Sequence, residues 1–354
     1  MSKVFVEDLK NGQGVDSVFL VRDKALAVTK DGRPYIKLAL IDRTGKIEAR
    51  MWDRQAEERG IERTFEGFKQ NDFVRVTGRV ESFKDLLQIN LEAIVPTNPQ
   101  DIDIADFVPT GDKNPDEIVR DLTKTFASFR NPFIKRLGNA FLKDGGFMER
   151  FTRAPAAKKL HQAYLGGLLE HTHNLVKMAL DVSRYYPQIN GELLVIGAFL
   201  HDIGKIEELD YQRAFDYSDR GRFLGHLFIG ARMVDEKIAA IDSFPEDLKN
   251  MVLHLVLSHH GLHEYGAPVL PATLEAVVLF QLDDLDAKVW GFTGEQVRSE
   301  ALPGNWTAFS NVYSRFIYKG DTYIGTDEDE AEKGERKKRE RMDKKLMLGL
   351  FDDQ

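Results

Sequence analysis

Residues 192–205 read ELLVIGAFLHDIGK, an apolar run that ends in an adjacent histidine and aspartate. The run from Leu193 to Leu200 has no polar face, which is typical of a helix buried on all sides. Gly204 is suited to ending that helix. His201 and Asp202 would lie about 100° apart around the helix axis, so both reach one ion only if it lies over the edge between them. The stretch therefore predicts a buried helix with a His-Asp pair at its carboxyl end.

Other segments on both sides of this stretch show apolar residues at three- and four-residue spacing, which predicts further helices. Those helices are expected at Asp116–Ser128, Pro132–Lys143, Leu160–Tyr186, Glu192–His201, Leu224–Ile241, Glu246–His260 and Thr273–Trp290. Residues 116–322 are therefore predicted to form an all-α domain.

Further imidazoles and carboxylates fall beside these apolar stripes, where an uncompensated polar group would be costly. They are His171, His226, the pair His259-His260, and Asp283. Metal coordination would remove that cost. The 354-residue chain has no cysteine, which excludes disulfides, thiolate zinc sites and a zinc ribbon. Nitrogen and oxygen donors suit Mn²⁺, Mg²⁺, Fe²⁺, Ni²⁺ or Zn²⁺ without choosing among them.

The first 95 residues have a different texture, because short runs of β-branched and aromatic residues alternate with turn residues. Asp42-Arg43-Thr44-Gly45 is a tight hairpin signal, and Gln55–Phe68 favours a helix. Strands are predicted at Ser17–Thr29, Tyr35–Asp42, Lys46–Trp52, Phe73–Val80 and Leu86–Val95. Five strands with a helix after the third is the order of an OB-fold barrel. The fold class is therefore multi-domain α+β, with a five-stranded barrel followed by an all-α domain.

The formal net charge of −8 has the wrong sign for a surface that binds nucleic acid everywhere, so a polyanionic substrate needs a local basic groove or metal ions. The first 95 residues are the less acidic part of the chain. Tyr35, Trp52, Arg50 and Arg75 are the candidates there for a groove that stacks single-stranded bases. Phe19, Phe73 and Phe83 are nearby, and most of these five aromatic side chains are expected in the core, because alternation buries about half of a strand.

Pro, Asp and Asn are frequent in residues 96–115, which indicates a linker between the barrel (1–95) and the helical domain (116–322). Residues 323–354 form a charged extension. Its apolar end, Leu346–Phe351, is expected to dock on its own protein or a neighbouring subunit, and a sliding-clamp contact is the weaker alternative. The amino terminus lacks a leader pattern and no apolar run is long enough for a bilayer, so a cytoplasmic protein is expected.

The ordered set His171, His201-Asp202, His226, His259 and Asp283 resembles the HD superfamily of metal-dependent phosphohydrolases, which have an all-helical fold. With the barrel added, the chain is similar to the YhaM family of 3′-to-5′ exoribonucleases over nearly its whole length, to about residue 320. The motifs that carry this likeness are Ala154–Lys159, Gly166–Thr172, Ser258–Gly261 with Glu264–Gly266, and Asp283–Lys288.

The resemblance implies a centre of two divalent ions, with Mn²⁺ preferred and Mg²⁺, Fe²⁺, Ni²⁺, Zn²⁺ or Co²⁺ as alternatives. Asp202 would bridge the ions, and His260 would be a further ligand or, as favoured here, a donor that orients one. The remaining ligands would be His171, His201 and Asp283 for one ion and His226 with His259 for the other. Lys205 would hold a phosphate oxygen beside the catalytic Asp202. Lys158, Lys159 and His161 match family motif positions and are candidates for contacts with the substrate's phosphates.

The expected activity is hydrolysis of single-stranded RNA to nucleoside monophosphates, with single-stranded DNA as a further substrate to test. A homo-oligomer is expected from the resemblance. Two other functions stay open: a phosphohydrolase of free nucleotides, and a single-strand-binding protein without activity.

Overall fold

The computed structural model describes residues 3–53, 60–84, 86–98, 101–108, 110–111, 113–158, 162–211, 215–322 and 334. The chain folds into two compact units, and the second begins at Thr110. Lys159, His161 and the carboxyl-terminal segment from residue 335 onward lie outside the described residues. Within the described part, no helix is both long and apolar enough to cross a membrane.

The first unit contains a closed five-stranded barrel. Its strands run in the order β1-β2-β3-β5-β4, and β4 returns to β1. The pairing of β3 with β5 is parallel and the others are antiparallel. The elements are β1 (Gly14–Val28), β2 (Pro34–Asp42), β3 (Gly45–Trp52), α1 (Ile61–Glu66), β4 (Phe73–Phe83) and β5 (Leu86–Pro96). This arrangement confirms the predicted barrel; of the helix expected over Gln55–Phe68, α1 is the part seen, and residues 54–59 are outside the described range.

Alternation along the strands separates the core of the barrel from its outer face. In β3, Ile47 and Met51 are buried, whereas Arg50 and Trp52 face outward and are partly exposed. Among the five aromatic side chains, Phe19 and Phe73 are in the core, Tyr35 and Trp52 are partly exposed, and Phe83 is exposed. The expectation that most of the five are buried is therefore wrong, because three of them occupy outward positions of the pleat or a strand end.

The second unit is helical and also carries one short hairpin. Its elements are α2 (Pro115–Ala127), α3 (Pro132–Leu142), α4 (Gly145–Phe151), α5 (Gly167–Tyr185), α6 (Gly191–Leu200), α7 (Lys205–Glu208), β6 (Leu209–Asp210), β7 (Asp216–Tyr217), α8 (Asp219–Ala239), α9 (Glu246–Ser258) and α10 (Leu274–Arg298). The helix predicted from Leu160 is wrong at its start, because Gly166 has a left-handed backbone and α5 begins after it. The short α4, α7 and the hairpin carry too few residues to show a period, and they were not predicted.

Helix α6 lies at the centre of the helical core. All of its residues from Leu193 to Leu200 are buried, as the apolar run predicts. Gly197 allows close packing on α9, because a Cβ there would lie 2.7 Å from a methyl group of Leu255. The two residues that follow α6, His201 and Asp202, are therefore also buried, at 0% and 2% exposure.

Candidate metal centre

Five helices bring imidazoles and carboxylates to one place in the helical unit. Helix α5 contributes one histidine, α8 another, and α10 an aspartate, while the ends of α6 and α9 each contribute a pair. These side chains are His171, His201, Asp202, His226, His259, His260 and Asp283. Every ligand predicted from the sequence is in this cluster.

The two histidines that follow α6 and α9 are held by main-chain carbonyls. His201 donates from Nδ1 to the carbonyl oxygen of Ala198 at 2.9 Å, and His259 donates to that of Val256 at 2.8 Å. With Nδ1 as the donor, Nε2 carries a lone pair in the neutral ring. Both rings therefore present Nε2 as a ligand atom.

Carboxylates hold two other histidines by the same ring atom, Nδ1. Nδ1 of His171 lies 2.7 Å from an oxygen of Asp286, and Nδ1 of His226 lies 2.9 Å from Oε1 of Glu208. The same Oε1 also accepts the main-chain N–H of His226 at 2.9 Å. That N–H is available because Gly225 (φ 69°) interrupts α8 immediately before it. A carboxylate behind an imidazole fixes the ring's orientation and strengthens it as a metal ligand.

Asp202 has one oxygen turned toward each half of the cluster. Its Oδ2 lies 3.3 Å from Nε2 of His201 and 3.8 Å from that of His171. Its Oδ1 lies 3.4 Å from Nε2 of His226 and 3.5 Å from that of His259. A carboxylate in this position can bridge two ions.

The ligand atoms on either side of Asp202 form two groups, each lying within 4.8 Å of one another. One group contains His171, His201 and Asp283, with Nε2 of His171 3.1 Å from Oδ1 of Asp283. The other contains His226, His259 and His260. The side chain of His260 thus lies among the candidate ligands; its Nε2 lies 3.1 Å from that of His226.

Two buried atoms in the centre test whether a metal ion fits. Among the described residues, Oδ1 of Asp202 and Nε2 of His259 have no hydrogen-bond partner. Leaving a buried polar atom unpaired costs about 1–3 kcal/mol, and more for a charged group. Both atoms are of the kinds that bind divalent cations, and coordination would satisfy them. The residues present therefore fit a divalent metal ion.

Charge in the centre keeps Asp202 ionised. Burial alone would raise the pKa of this carboxyl, but the charge of Lys205 and the proximity of His201 outweigh burial and hold the pKa well below its usual range. Nζ of Lys205 lies 2.6 Å from Oδ2 of Asp202. Burial would lower the pKa of Lys205, yet the negative charge of Asp202 raises it above the ordinary value.

The histidines differ in their proton affinity. Burial lowers the pKa of His259 to about 4, so its ring is neutral at pH 7. Burial acts on His171 in the same direction, but hydrogen bonds to Asp283 and Asp286 outweigh it and raise the pKa of His171 to about 9. A metal ion that binds His171 must therefore displace a proton at neutral pH.

The barrel carries a second candidate surface, on the outer face of β2 and β3. The rings of Tyr35 and Trp52 have centroids 4.9 Å apart, and the two residues are cross-strand partners. Arg50 lies on the same face, with its guanidinium 5.5 Å from the ring of Phe83. Arg75, in contrast, lies on β4 and forms a two-point ion pair with Asp16 at 2.7 and 2.8 Å. Three of the four predicted barrel residues are therefore brought together.

Comparison with known proteins places both units in families. The HD domain family matches residues 168–288, and the family described as an OB-fold nucleic acid binding domain matches residues 19–97. The chain is 33% identical to the 3′-5′ exoribonuclease YhaM of Oceanobacillus iheyensis, over 78% of this chain and 85% of that protein. The chain belongs to the YhaM family.

Two further YhaM proteins show similar agreement. The 3′-5′ exoribonuclease YhaM of Bacillus velezensis is 31% identical over 84% of this chain and 91% of its own length. That of a Geobacillus species is 31% identical over 87% and 92%. The likeness to YhaM therefore spans both the barrel and the helical domain.

Sequence reasoning missed Glu208 and Asp286 as partners of the YhaM-type histidine set. Asp286 follows Asp283 by three residues and so shares its helix face, a signal that was present in the sequence. Glu208 follows Lys205 at the same spacing on α7, but the meeting with His226 depends on how α7 and α8 pack. Nζ of Lys205 contacts Asp202, and Lys158 pairs with Asp216 of the hairpin β6–β7.

Proposed function

We propose that this chain is a metal-dependent 3′-to-5′ exoribonuclease that hydrolyses single-stranded RNA to nucleoside monophosphates. The observation that carries the proposal is Asp202, whose two oxygens face two separate groups of metal-binding side chains. Membership of the YhaM family supports the direction and the polymeric substrate. Single-stranded DNA is a second substrate that the same centre could accept, because the metal ions would bind the phosphate, which RNA and DNA share.

Two ions fit the two groups. His171, His201 and Asp283 would hold one ion and His226 with His259 the other, while Asp202 would contribute an oxygen to each. His260 would join the second group, because its ring is oriented like the others, with Nδ1 2.8 Å from the carbonyl of Tyr265 and Nε2 at the centre. Mn²⁺ suits this mixture of imidazole and carboxylate, and Mg²⁺, Fe²⁺, Co²⁺, Ni²⁺ and Zn²⁺ are the ions to compare with it. When bound, such a pair lowers the pKa of water and neutralises charge on a phosphoryl group.

The protein's own residues supply position and charge. Lys205 is held by Asp202 at 2.6 Å, so its ammonium is poised to bind a non-bridging oxygen of the scissile phosphate. In the reaction the oxygen of water adds to phosphorus and the bond to the oxygen of the preceding nucleotide breaks. That oxygen takes a proton, and a nucleoside monophosphate leaves. The positive charge of Lys205 would stabilise the transition state more than the bound substrate, because negative charge grows on the phosphoryl oxygens during the reaction.

The barrel supports a polymer rather than a free nucleotide as the substrate. Stacking on Tyr35 and Trp52 and the charge of Arg50 hold single-stranded bases without regard to sequence. Exposed apolar side chains also lie at the hairpins β1–β2 and β4–β5, with Val28 at the end of β1 and Leu86 at the start of β5. In OB-folds these loops contact oligonucleotides. A strand held by the barrel raises the effective concentration of its 3′ end at the metal centre of the same chain.

The deciding experiment is digestion of a 5′-labelled single-stranded RNA, beside the same sequence of DNA, with each divalent ion in turn. Wild type is compared with Asp202→Ala and with Asp284→Ala, a control whose carboxylate pairs with Lys288 on the surface of α10. The proposal predicts a ladder that shortens from the 3′ end, absent in Asp202→Ala and kept in Asp284→Ala. Intact RNA with release of phosphate from free nucleotides would overturn it in favour of a nucleotide phosphohydrolase. Tight binding without cleavage under every ion would favour a binding protein.

A further inference from the structure

An aromatic ring flanked by two cations lies on the hairpin β6–β7. The ring of Tyr217 is 42% exposed, and Nζ of Lys158 and Cζ of Arg222 each lie 5.8 Å from its centre. Both cations contact the carboxylate of Asp216, at 2.6 Å for Lys158 and 3.0 Å for Arg222. Two positive charges thus converge on one carboxylate beside an exposed ring, and Asp210, the cross-strand partner of Asp216, is the other acidic residue of the hairpin strands.

One residue connects this group to the metal centre. The carboxylate of Glu208 holds the ring and main chain of His226, while its carbonyl oxygen accepts the N–H of Ser218 at 2.9 Å. Ser218 directly follows Tyr217, and Leu209 pairs with Tyr217 across the hairpin. Helix α8 starts against the same peptide, since a Cβ at Gly221 would overlap the carbonyl of Glu208. The position of Tyr217 relative to the metal ligands is therefore fixed by direct main-chain contacts.

We propose that Tyr217, Lys158 and Arg222 form a nucleotide-binding subsite beside the metal centre. The base of a nucleotide upstream of the scissile bond stacks on Tyr217, and a backbone phosphate binds Lys158 and Arg222. This Tyr217 subsite rests on the proposed exonuclease function and adds to it a second binding site for the single strand, distinct from the barrel. Stacking on an aromatic ring and charge on the backbone are what a single strand of any sequence offers to a protein.

A structural role alone explains the group less well. An ion pair that only stabilises the hairpin needs one cation for Asp216, whereas two cations contact it here, beside a tyrosine that is 42% exposed. Arginine in addition presents planar donors that match a phosphate, so the second cation has a use once a phosphate is present.

The test uses the full chain and RNA oligonucleotides that carry one abasic nucleotide, moved stepwise through the last five positions. Wild type is expected to lose about tenfold in kcat/KM at one of these positions, the size of one lost stacking contact. Tyr217→Ala should show the same loss on normal RNA and no additional loss when the abasic nucleotide is at that position. Tyr217→Phe should keep the wild-type pattern. Arg222→Ala should raise KM, while Arg184→Ala, which breaks a comparable surface pair with Asp181, should not.

The subsite would be overturned if the loss from Tyr217→Ala and the loss from the abasic nucleotide were additive at every position. Wild-type kinetics of Tyr217→Ala on normal RNA would overturn it as well. The same set of oligonucleotides is bound in the presence of EDTA and followed by fluorescence anisotropy. The affinity measured in this way reports on the subsite without cleavage. Failure of the exonuclease function and failure of the subsite therefore give different results.

Discussion

Replacing Glu208 with glutamine should weaken the binding of one metal ion and leave the binding of the other unchanged. Burial would raise the pKa of Glu208, but hydrogen bonds from His226 outweigh it and keep the carboxyl ionised at neutral pH. Its Oε1 accepts two N–H groups of His226, both at 2.9 Å. A hydrogen bond to a charged acceptor contributes roughly 1 kcal/mol more than one to a neutral acceptor, so Glu208→Gln forfeits about 2 kcal/mol over the two bonds.

That free energy corresponds to roughly a 30-fold loss of affinity for the ion held by His226. It lies within the 10–100-fold range that partners of metal-binding histidines commonly show. Asp286→Asn makes the same change behind His171, in the other group. We therefore expect each variant to lose one ion at a free Mn²⁺ concentration that saturates wild type, and the double variant to lose both.

The assay is isothermal titration with Mn²⁺, together with metal analysis after equilibrium dialysis. Glu207→Gln is the matched control, because Glu207 is the preceding residue and pairs with surface arginines instead of a metal ligand. Circular dichroism and thermal unfolding of the metal-free proteins show whether each variant is folded. The reasoning that each group depends on its own carboxylate would be refuted if Glu208→Gln lowered the affinity for both ions equally. It would also be refuted if the variant kept wild-type affinity for both.

Three further predictions follow from the same geometry. Gly204→Ala should destabilise the protein by about 3 kcal/mol in urea unfolding, because the added Cβ would meet the main chain of His226 and Gly230; a loss below about 0.5 kcal/mol would show that α8 can move away. Since the pKa of metal-free His171 is raised to about 9, a proton competes with the metal, and Mn²⁺ affinity at the His171 group should rise nearly tenfold per pH unit between pH 6.5 and 8. A pH-independent affinity in titration calorimetry would contradict this. Lys205→Ala should lower kcat for RNA about 100-fold with Lys205→Arg recovering part of it, whereas a change confined to KM would place Lys205 in ground-state binding only.

Much of the fold was accessible from local pattern. Alternation in β2 and β3 and the hairpin at Asp42–Gly45 predicted the barrel, because strand periodicity and turn chemistry are properties of neighbouring residues. The apolar run of α6 likewise predicted a buried helix. Prediction failed at Gly166, where a left-handed residue delays α5, and at short elements such as α7 that have no period to read.

The ligands of the candidate centre were also predictable, as residue types in order along the chain. Their grouping could not be worked out from spacing along the chain, and only the family resemblance implied it. His171 meets Asp286 across 115 residues, and His226 meets His260 across 34. Spacing along one helix says which residues share a face, but it does not say which other face will lie opposite.

The chemical groups of this protein follow from its residues alone: imidazoles and carboxylates without thiols, a His-Asp pair at the end of an apolar helix, and an aromatic and basic set on barrel strands. Tertiary structure decided how these groups act on one another. It placed the two oxygens of Asp202 between two groups and Glu208 behind His226, and it set Tyr217 between Lys158 and Arg222. The physical reason is that hydrogen bonds and charge interactions depend on distances of a few ångströms, and helix packing sets those distances between residues that are far apart in the chain.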